Sequence, residues 1–178
     1  MTLAEALRAL PHCPNDEFPG TKGYEDRVPL VADLRILSCF EFGGHFGFGL
    51  VTWLHTFPEI TWAGWCDNER AFTGSNLACG ENVRAYLGER RVQLWWCEVP
   101  TEALGRKADL VMVDGDHGYG SCLIDLTLAL SMKPKVILVD DLQLGGVDQA
   151  VRDFSAYSGL RFDSYPVAAG TAVFRLEV

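Results

Sequence analysis

The sequence predicts an α/β domain: a mostly parallel, seven-stranded sheet closed by an antiparallel C-terminal hairpin, with helices on both faces. Three observations carry this expectation. Strand and helix signals alternate from Leu34 onward, and such alternation builds a parallel sheet with crossover helices. Leu110–Val113 and Val136–Val139 are short, apolar, β-branched runs, the composition of strands buried on both faces. The last two strand candidates are joined by Ala168, Ala169 and Gly170 alone, a link too short for a parallel crossover and suited to a hairpin.

Each element has its own signal. Leu3, Ala6, Leu7 and Leu10 recur on one face of a short N-terminal helix. Residues 11–28, rich in Pro, Gly, Asn and Asp, read as a loop or lid. The first strand is expected at residues 35–42. A glycine cluster and a helix over residues 48–55 follow. A second strand at 60–67 precedes a helical stretch over 68–87, which Gly74 and Gly80 could divide into two shorter helices. Strands at 92–97 and 108–114 come next, then a helix with Tyr119, Leu123, Leu126 and Leu130 at helical spacing. A strand at 135–141 leads to a helix carrying Val147, Ala150, Val151 and Phe154. Strands at 161–167 and 171–176 complete the sheet. All 178 residues are assigned to a single domain, with residues 1–30 as its N-terminal helix and loop.

Composition narrows the function classes. Apolar residues make up 48% of the chain and mean hydropathy is +0.07, as in a well-packed globule. The net charge of −9 argues against nucleic acid or an anionic membrane surface as the main partner, because both need basic patches. No stretch is long and apolar enough to span a bilayer, and residues 1–10 lack the basic start and apolar core of a signal peptide. The six cysteines contain no Cys-x-x-Cys pair, so a zinc ribbon or redox dithiol is not expected. Cys39, Cys66 and Cys97 read as small core residues, and a reducing cytoplasm is the expected location. A small molecule is the expected partner, and a homo-oligomer is compatible with the sequence.

Both apolar runs end in acids, Asp114-Gly115-Asp116-His117 and Asp140-Asp141. Carboxylates at a core's rim usually face cations, metals or hydrogen-bond donors of a ligand. The first strand ends in Glu41-Phe42-Gly43-Gly44-His45-Phe46-Gly47-Phe48-Gly49. Glycines there allow a tight turn and close approach of a ligand to a helix N-terminus. A plain strand-to-helix turn would also use them. Their order is not Gly-x-Gly-x-x-Gly, and the preceding Glu41 would repel phosphate.

The spacing Glu-x-Gly-x-x-x-Gly resembles motif I of class I S-adenosylmethionine-dependent methyltransferases, a family with a Rossmann-like fold. Asp109-Leu110-Val111-Met112-Val113-Asp114-Gly115-Asp116-His117-Gly118-Tyr119 is similar to the "DLVFIDGDHSY" signature of its small-molecule O-methyltransferase subgroup, the macrocin and catechol O-methyltransferase-like enzymes. Val139-Asp140-Asp141 resembles that subgroup's "VDD". The turn before the fifth strand departs from the usual Pro-Gly-Gly, being Lys133-Pro134-Lys135.

The resemblance implies S-adenosylmethionine bound by Glu41, Gly43, Gly47, Asp67, Glu98 and Asp114. Asp67, with Glu69 as its neighbour, would take the ribose hydroxyls; a turn acid or helix cap is the other reading. Glu98 would accept from the adenine amino group, or is an ordinary exposed loop acid. The resemblance further implies Mg²⁺ or a similar divalent cation at Asp114, Asp140 and Asp141, which could lower an acceptor hydroxyl's pKa. His117 is then the candidate general base, with Asp114 beside it as a catalytic residue. Its other readings are helix capping or binding a carboxylate. Asp116 could orient His117, reach the metal or cap the next helix. His45 is expected to face solvent. The expected activity is metal-assisted O-methylation of a small hydroxylated molecule. The alternative is a catalytically inactive binding or partner protein that keeps the same fold.

Overall fold

A computed structural model describes residues 1–12, 22–66 and 75–176. Seven strands form one sheet in the order β3-β2-β1-β4-β5-β7-β6. They are β1 (Ser38–Phe42), β2 (Trp62–Cys66), β3 (Gln93–Cys97), β4 (Leu110–Val113), β5 (Val136–Val139), β6 (Phe162–Tyr165) and β7 (Thr171–Arg175). Strands β1 to β5 run parallel. Strand β7 is antiparallel to both β5 and β6, so the short link does close a hairpin. Each strand lies inside its expected range and is shorter by one to three residues.

The helices are α1 (Leu3–Arg8), α2 (Lys22–Glu25), α3 (Phe48–Thr56), α4 (Ser75–Leu87), α5 (Tyr119–Ser131) and α6 (Gly145–Ser158). They cover both faces because the strands alternate strictly. Leu110, Met112, Val136 and Leu138 point to one core with Leu50, Trp53, Leu54 and Val83. Val111, Val113, Ile137 and Val139 point to the other with Leu126, Ala129, Val151 and Phe154. A period of two in strands with both faces covered produces this partition. Helix α1 opens with a capping box between Thr2 and Glu5, a sequence-local device for satisfying free N–H groups.

The buried face of α5 differs from the expected one. Cys122, Asp125, Leu126 and Ala129 are buried, while Tyr119 is exposed. The face is rotated by about one residue, and it includes an acid. Trp96 is 47% exposed, because β3 is an edge strand with no neighbour beyond it.

Strands β1 and β4 are adjacent, and the chain proceeds from them toward opposite edges. Connections therefore diverge at their carboxyl ends, and the resulting crevice is the usual ligand site of such sheets.

Candidate functional site

A cavity of about 790 Å³ opens at that crevice, within the range of small-molecule sites. Backbone geometry shapes its floor. Gly43 N–H and Gly44 N–H both donate to the Cys66 carbonyl, and Asp114 N–H donates to the Phe42 carbonyl. The turns after β1, β2 and β4 are thereby tied together. Gly43 has φ +87°, and a Cβ there would collide with the Asp114 carbonyl. Only glycine fits this crossing without displacement. Gly47, also left-handed, precedes the first turn of α3.

Glu41 is buried at the end of β1 and lines the cavity. Its carboxylate lies against Gly49 in the first turn of α3, where a side chain on Gly49 would strike it. The partial positive charge of that helix N-terminus favours a carboxylate there. His45 lines the cavity instead of facing solvent. It has φ +40°, and its ring packs on Phe46 with centroids 4.2 Å apart.

Beyond β4 and β5, Asp114, His117 and Asp141 offer ligand atoms that all lie within 4.8 Å of one another. His117 Nε2 is 2.7 Å from Asp141 Oδ2 and 4.0 Å from Asp114 Oδ1. The Asp114 carboxylate first, and then the charge of Asp141, hold the His117 pKa above its ordinary value. Burial and the neighbouring Asp114 raise Asp141.

Of the three acids expected to share a cation, Asp114 and Asp141 lie near each other and Asp140 lies apart. Asp140 does not join the cluster. It is buried, its Oδ2 pairs with Arg27, and its Oδ1 accepts a long hydrogen bond from the Thr171 hydroxyl at 3.4 Å. Asp141 has φ +56°. This turn sends the two successive carboxylates to different neighbours, Asp140 to the N-terminal segment and Asp141 to His117. Asp116 accepts from Gly118 N–H at 3.0 Å and from Ser121 Oγ at 2.9 Å just ahead of α5, whose N-cap residue is Gly118 without a side-chain cap bond.

Of the remaining expected cofactor residues, Gly43, Gly47 and Asp114 stand on the loops just described. Glu98 is exposed and does not line the cavity. Asp67 and Glu69 lie outside the described residues.

Two titratable cavity residues, Tyr24 and Asp125, had no functional place in the sequence reading. Tyr24 was assigned to a loop. It sits edge-on to Phe48 with ring centroids 6.1 Å apart, and Arg27 lies over its ring at 5.3 Å. Burial, Asp114 and Glu41 push its hydroxyl pKa up. Asp125 lines the cavity from α5. Its signal was available as a single acid inside the apolar run Cys122-Leu123-Ile124-Asp125-Leu126.

The cavity wall holds Glu41, Asp114, Asp116 and Asp125, and no lysine or arginine stands among the described lining residues. Such a wall attracts a cationic ligand and repels phosphate.

No protein-family model and no curated protein matches the sequence. Solved structures do match. The O-methyltransferase TomG from Streptomyces achromogenes, in complex with SAM, superposes with TM-score 0.69 at 17% identity, over 99% of this chain and 88% of its own. An O-methyltransferase from Bacillus cereus, in complex with SAH, gives 0.68 at 15% identity, over 98% of this chain and 90% of its own. A ribosomal protein L11 methylase from Lactobacillus delbrueckii subsp. bulgaricus gives 0.62 at 16% identity, over 88% and 79%. The chain has the Rossmann-like methyltransferase fold. Identities this low establish the fold, and the chemistry rests on the site. Among the described residues, no helix is long and apolar enough to cross a membrane.

Proposed function

We propose that the protein is an S-adenosylmethionine-dependent methyltransferase that O-methylates a small hydroxylated molecule with the help of a divalent cation. The observation that carries this reading is the cavity itself. It lies at the β1/β4 switch point, is floored by glycines that no side chain could replace, and is walled by acids without a lysine or arginine among the described residues. A ligand with an ammonium and a sulfonium suits such a wall; a dinucleotide's pyrophosphate does not. Solved proteins of this fold hold SAM or SAH.

Glu41 is placed to accept from the cofactor's ammonium group, beside the Gly43–Gly47 loop. The cation would be held by Asp114, Asp141 and His117, an O/N donor set suited to a divalent metal. When bound, the cofactor supplies the methyl group and the cation lowers the pKa of the acceptor hydroxyl. Asp140 holds Arg27 and the N-terminal segment over the rim.

The contact of His117 Nε2 with Asp141 at 2.7 Å favours a second role for the histidine. A histidine whose Nε2–H donates to a carboxylate can take the acceptor's proton at its other ring nitrogen, Nδ1. The two roles separate by experiment. Methyl transfer from labelled S-adenosylmethionine to a panel of catechols, phenols and sugars is measured with and without EDTA. The proposal expects turnover that EDTA removes and Mg²⁺ restores. If His117 is a ligand, His117→Ala weakens the metal dependence; if it is the base, the rate falls and metal affinity stays. Turnover indifferent to EDTA removes the metal from the mechanism.

A further inference from the structure

Asn82 is a fully buried amide on α4, and its three side-chain hydrogen bonds all leave that helix. Its Oδ1 accepts from His12 N–H at 2.9 Å. Its Nδ2 donates to the His12 carbonyl at 3.3 Å and to the Phe46 carbonyl at 2.9 Å. One donor and two acceptors among the partners admit a single orientation of the amide. A carboxylate or an apolar side chain of that size could not serve all three groups.

Phe46 lies in the loop between β1 and α3 and lines the cavity with His45. Gly43, His45 and Gly47 all have positive φ there, +87°, +40° and +75°. The two glycines adopt it freely, whereas His45 does so against the clash of its own Cβ. Such a turn persists only where its surroundings hold it, and α4 does so at two points. Gly47 sits so close to that helix that a Cβ would stand 3.0 Å from Cys79 Sγ and 3.1 Å from Val83 Cγ2. Asn82 grips the Phe46 carbonyl one residue earlier in the chain. His12 follows α1, and Leu3, Leu7 and Leu10 are seated in the core, so the N-terminal segment reaches the amide from a fixed anchor.

We infer that Asn82 is a positioning residue for the cofactor loop: it holds the Phe46 carbonyl, and with it the His45–Phe46 turn, in the form that receives the ligand, with its amide oriented by the backbone of His12. The identity of the ligand rests on the S-adenosylmethionine reading; the grip on the loop does not. The His12 N–H faces Oδ1 and the His12 carbonyl faces Nδ2, so the second amide hydrogen is left to Phe46. Turning the amide over would set Oδ1 against the Phe46 carbonyl oxygen and leave both unpaired. The N-terminal segment thus acts on the loop through one side chain, although His12 does not line the cavity.

The test reads the loop and the ligand separately. Amide exchange over residues 43–51 is followed by mass spectrometry in the free protein, and S-adenosylhomocysteine affinity by isothermal titration. Asn82→Ala and Asn82→Asp should speed exchange over 43–51 at least about fivefold, with residues 110–113 and 136–139 as protected as in the wild type. Both should weaken S-adenosylhomocysteine at least about tenfold, the usual effect of leaving a buried polar group unpaired. His45→Gly supplies the readout that packing alone would not move. Glycine takes positive φ without cost, so Asn82→Ala should lose clearly less affinity in a His45→Gly background than in the wild type. His12→Pro removes the N–H that orients the amide and should also speed exchange over 43–51, while His12→Ala keeps it and should not. That pair carries the test if the Asn82 variants do not fold. Wild-type exchange over 43–51 in the folded Asn82 variants, or in His12→Pro, would overturn the inference, as would equal losses from Asn82→Ala in the two backgrounds. Absence of S-adenosylhomocysteine binding by the wild type would instead remove the cofactor reading, and the exchange rates would still decide the grip.

Discussion

At the scale of single residues, the site is decided by which of several neighbouring acids are paired. Asp140 and Asp141 are adjacent, yet one is a buried ion-pair partner and the other a rim acid beside His117. Their substitutions should therefore behave differently. Asp140→Asn leaves Arg27 buried without its counter-charge, a loss of about 3–5 kcal/mol, and should lower the melting temperature. Asp141→Asn should leave the melting temperature nearly unchanged and weaken Mg²⁺ binding measured by calorimetry. Asp125 adds a pH signature. Its folded pKa, near 7, lies above the ordinary carboxyl value of 3.8, so the native state holds its proton more tightly than the unfolded chain. The stabilisation is complete below pH ~4 and is lost as pH rises through about 7, at most about 4 kcal/mol in total. Asp125→Asn cannot lose it. Thermal melts from pH 4 to pH 8 should show the variant gaining on the wild type as pH rises.

At the scale of elements, the connection from β1 to α3 does most to form the site. Gly43 crosses the Asp114 backbone in a left-handed conformation. Gly43→Ala should push the β1 and β4 turns apart. Circular dichroism should stay near wild type, while S-adenosylhomocysteine affinity falls at least about tenfold. The sheet was legible in the sequence because its signals are local: alternating strand and helix periods, two apolar runs and a three-residue hairpin link. The face of α5 was less legible. Tyr119, Leu123, Leu126 and Leu130 make a plausible apolar stripe, yet the helix buries Cys122, Asp125 and Ala129 beside Leu126. Hydropathy could not show that, because the buried acid is placed by the cavity and not by the core. The convergence of the acids at the ends of β4 and β5 was legible only in part. Asp114 and Asp141 meet as expected, while Asp140 is claimed by a partner 113 residues earlier in the chain. No spacing rule contains that pairing.

At the scale of the whole molecule, the N-terminal segment belongs to the site. Helix α2 and the turn after it pack on α3. Arg27 pairs with Asp140 at the end of β5, and Arg175 of β7 bonds Asp33 and the Leu30 carbonyl. These contacts hold Tyr24 against the cavity. Arg27→Met should strand the Asp140 charge and lower the melting temperature by on the order of 10 °C. It should also weaken cofactor binding, although Arg27 does not line the cavity. Titration calorimetry and melts on the same variant would check both effects.

The central claim is that this acid-walled cavity at the switch point holds S-adenosylmethionine. The most direct measurement is isothermal titration of the wild-type chain with S-adenosylmethionine, with NADH as the control ligand. Saturable one-to-one binding of S-adenosylmethionine, with no response to NADH, is the result expected. Absence of any heat at millimolar S-adenosylmethionine, or saturable binding of NADH in its place, would contradict it.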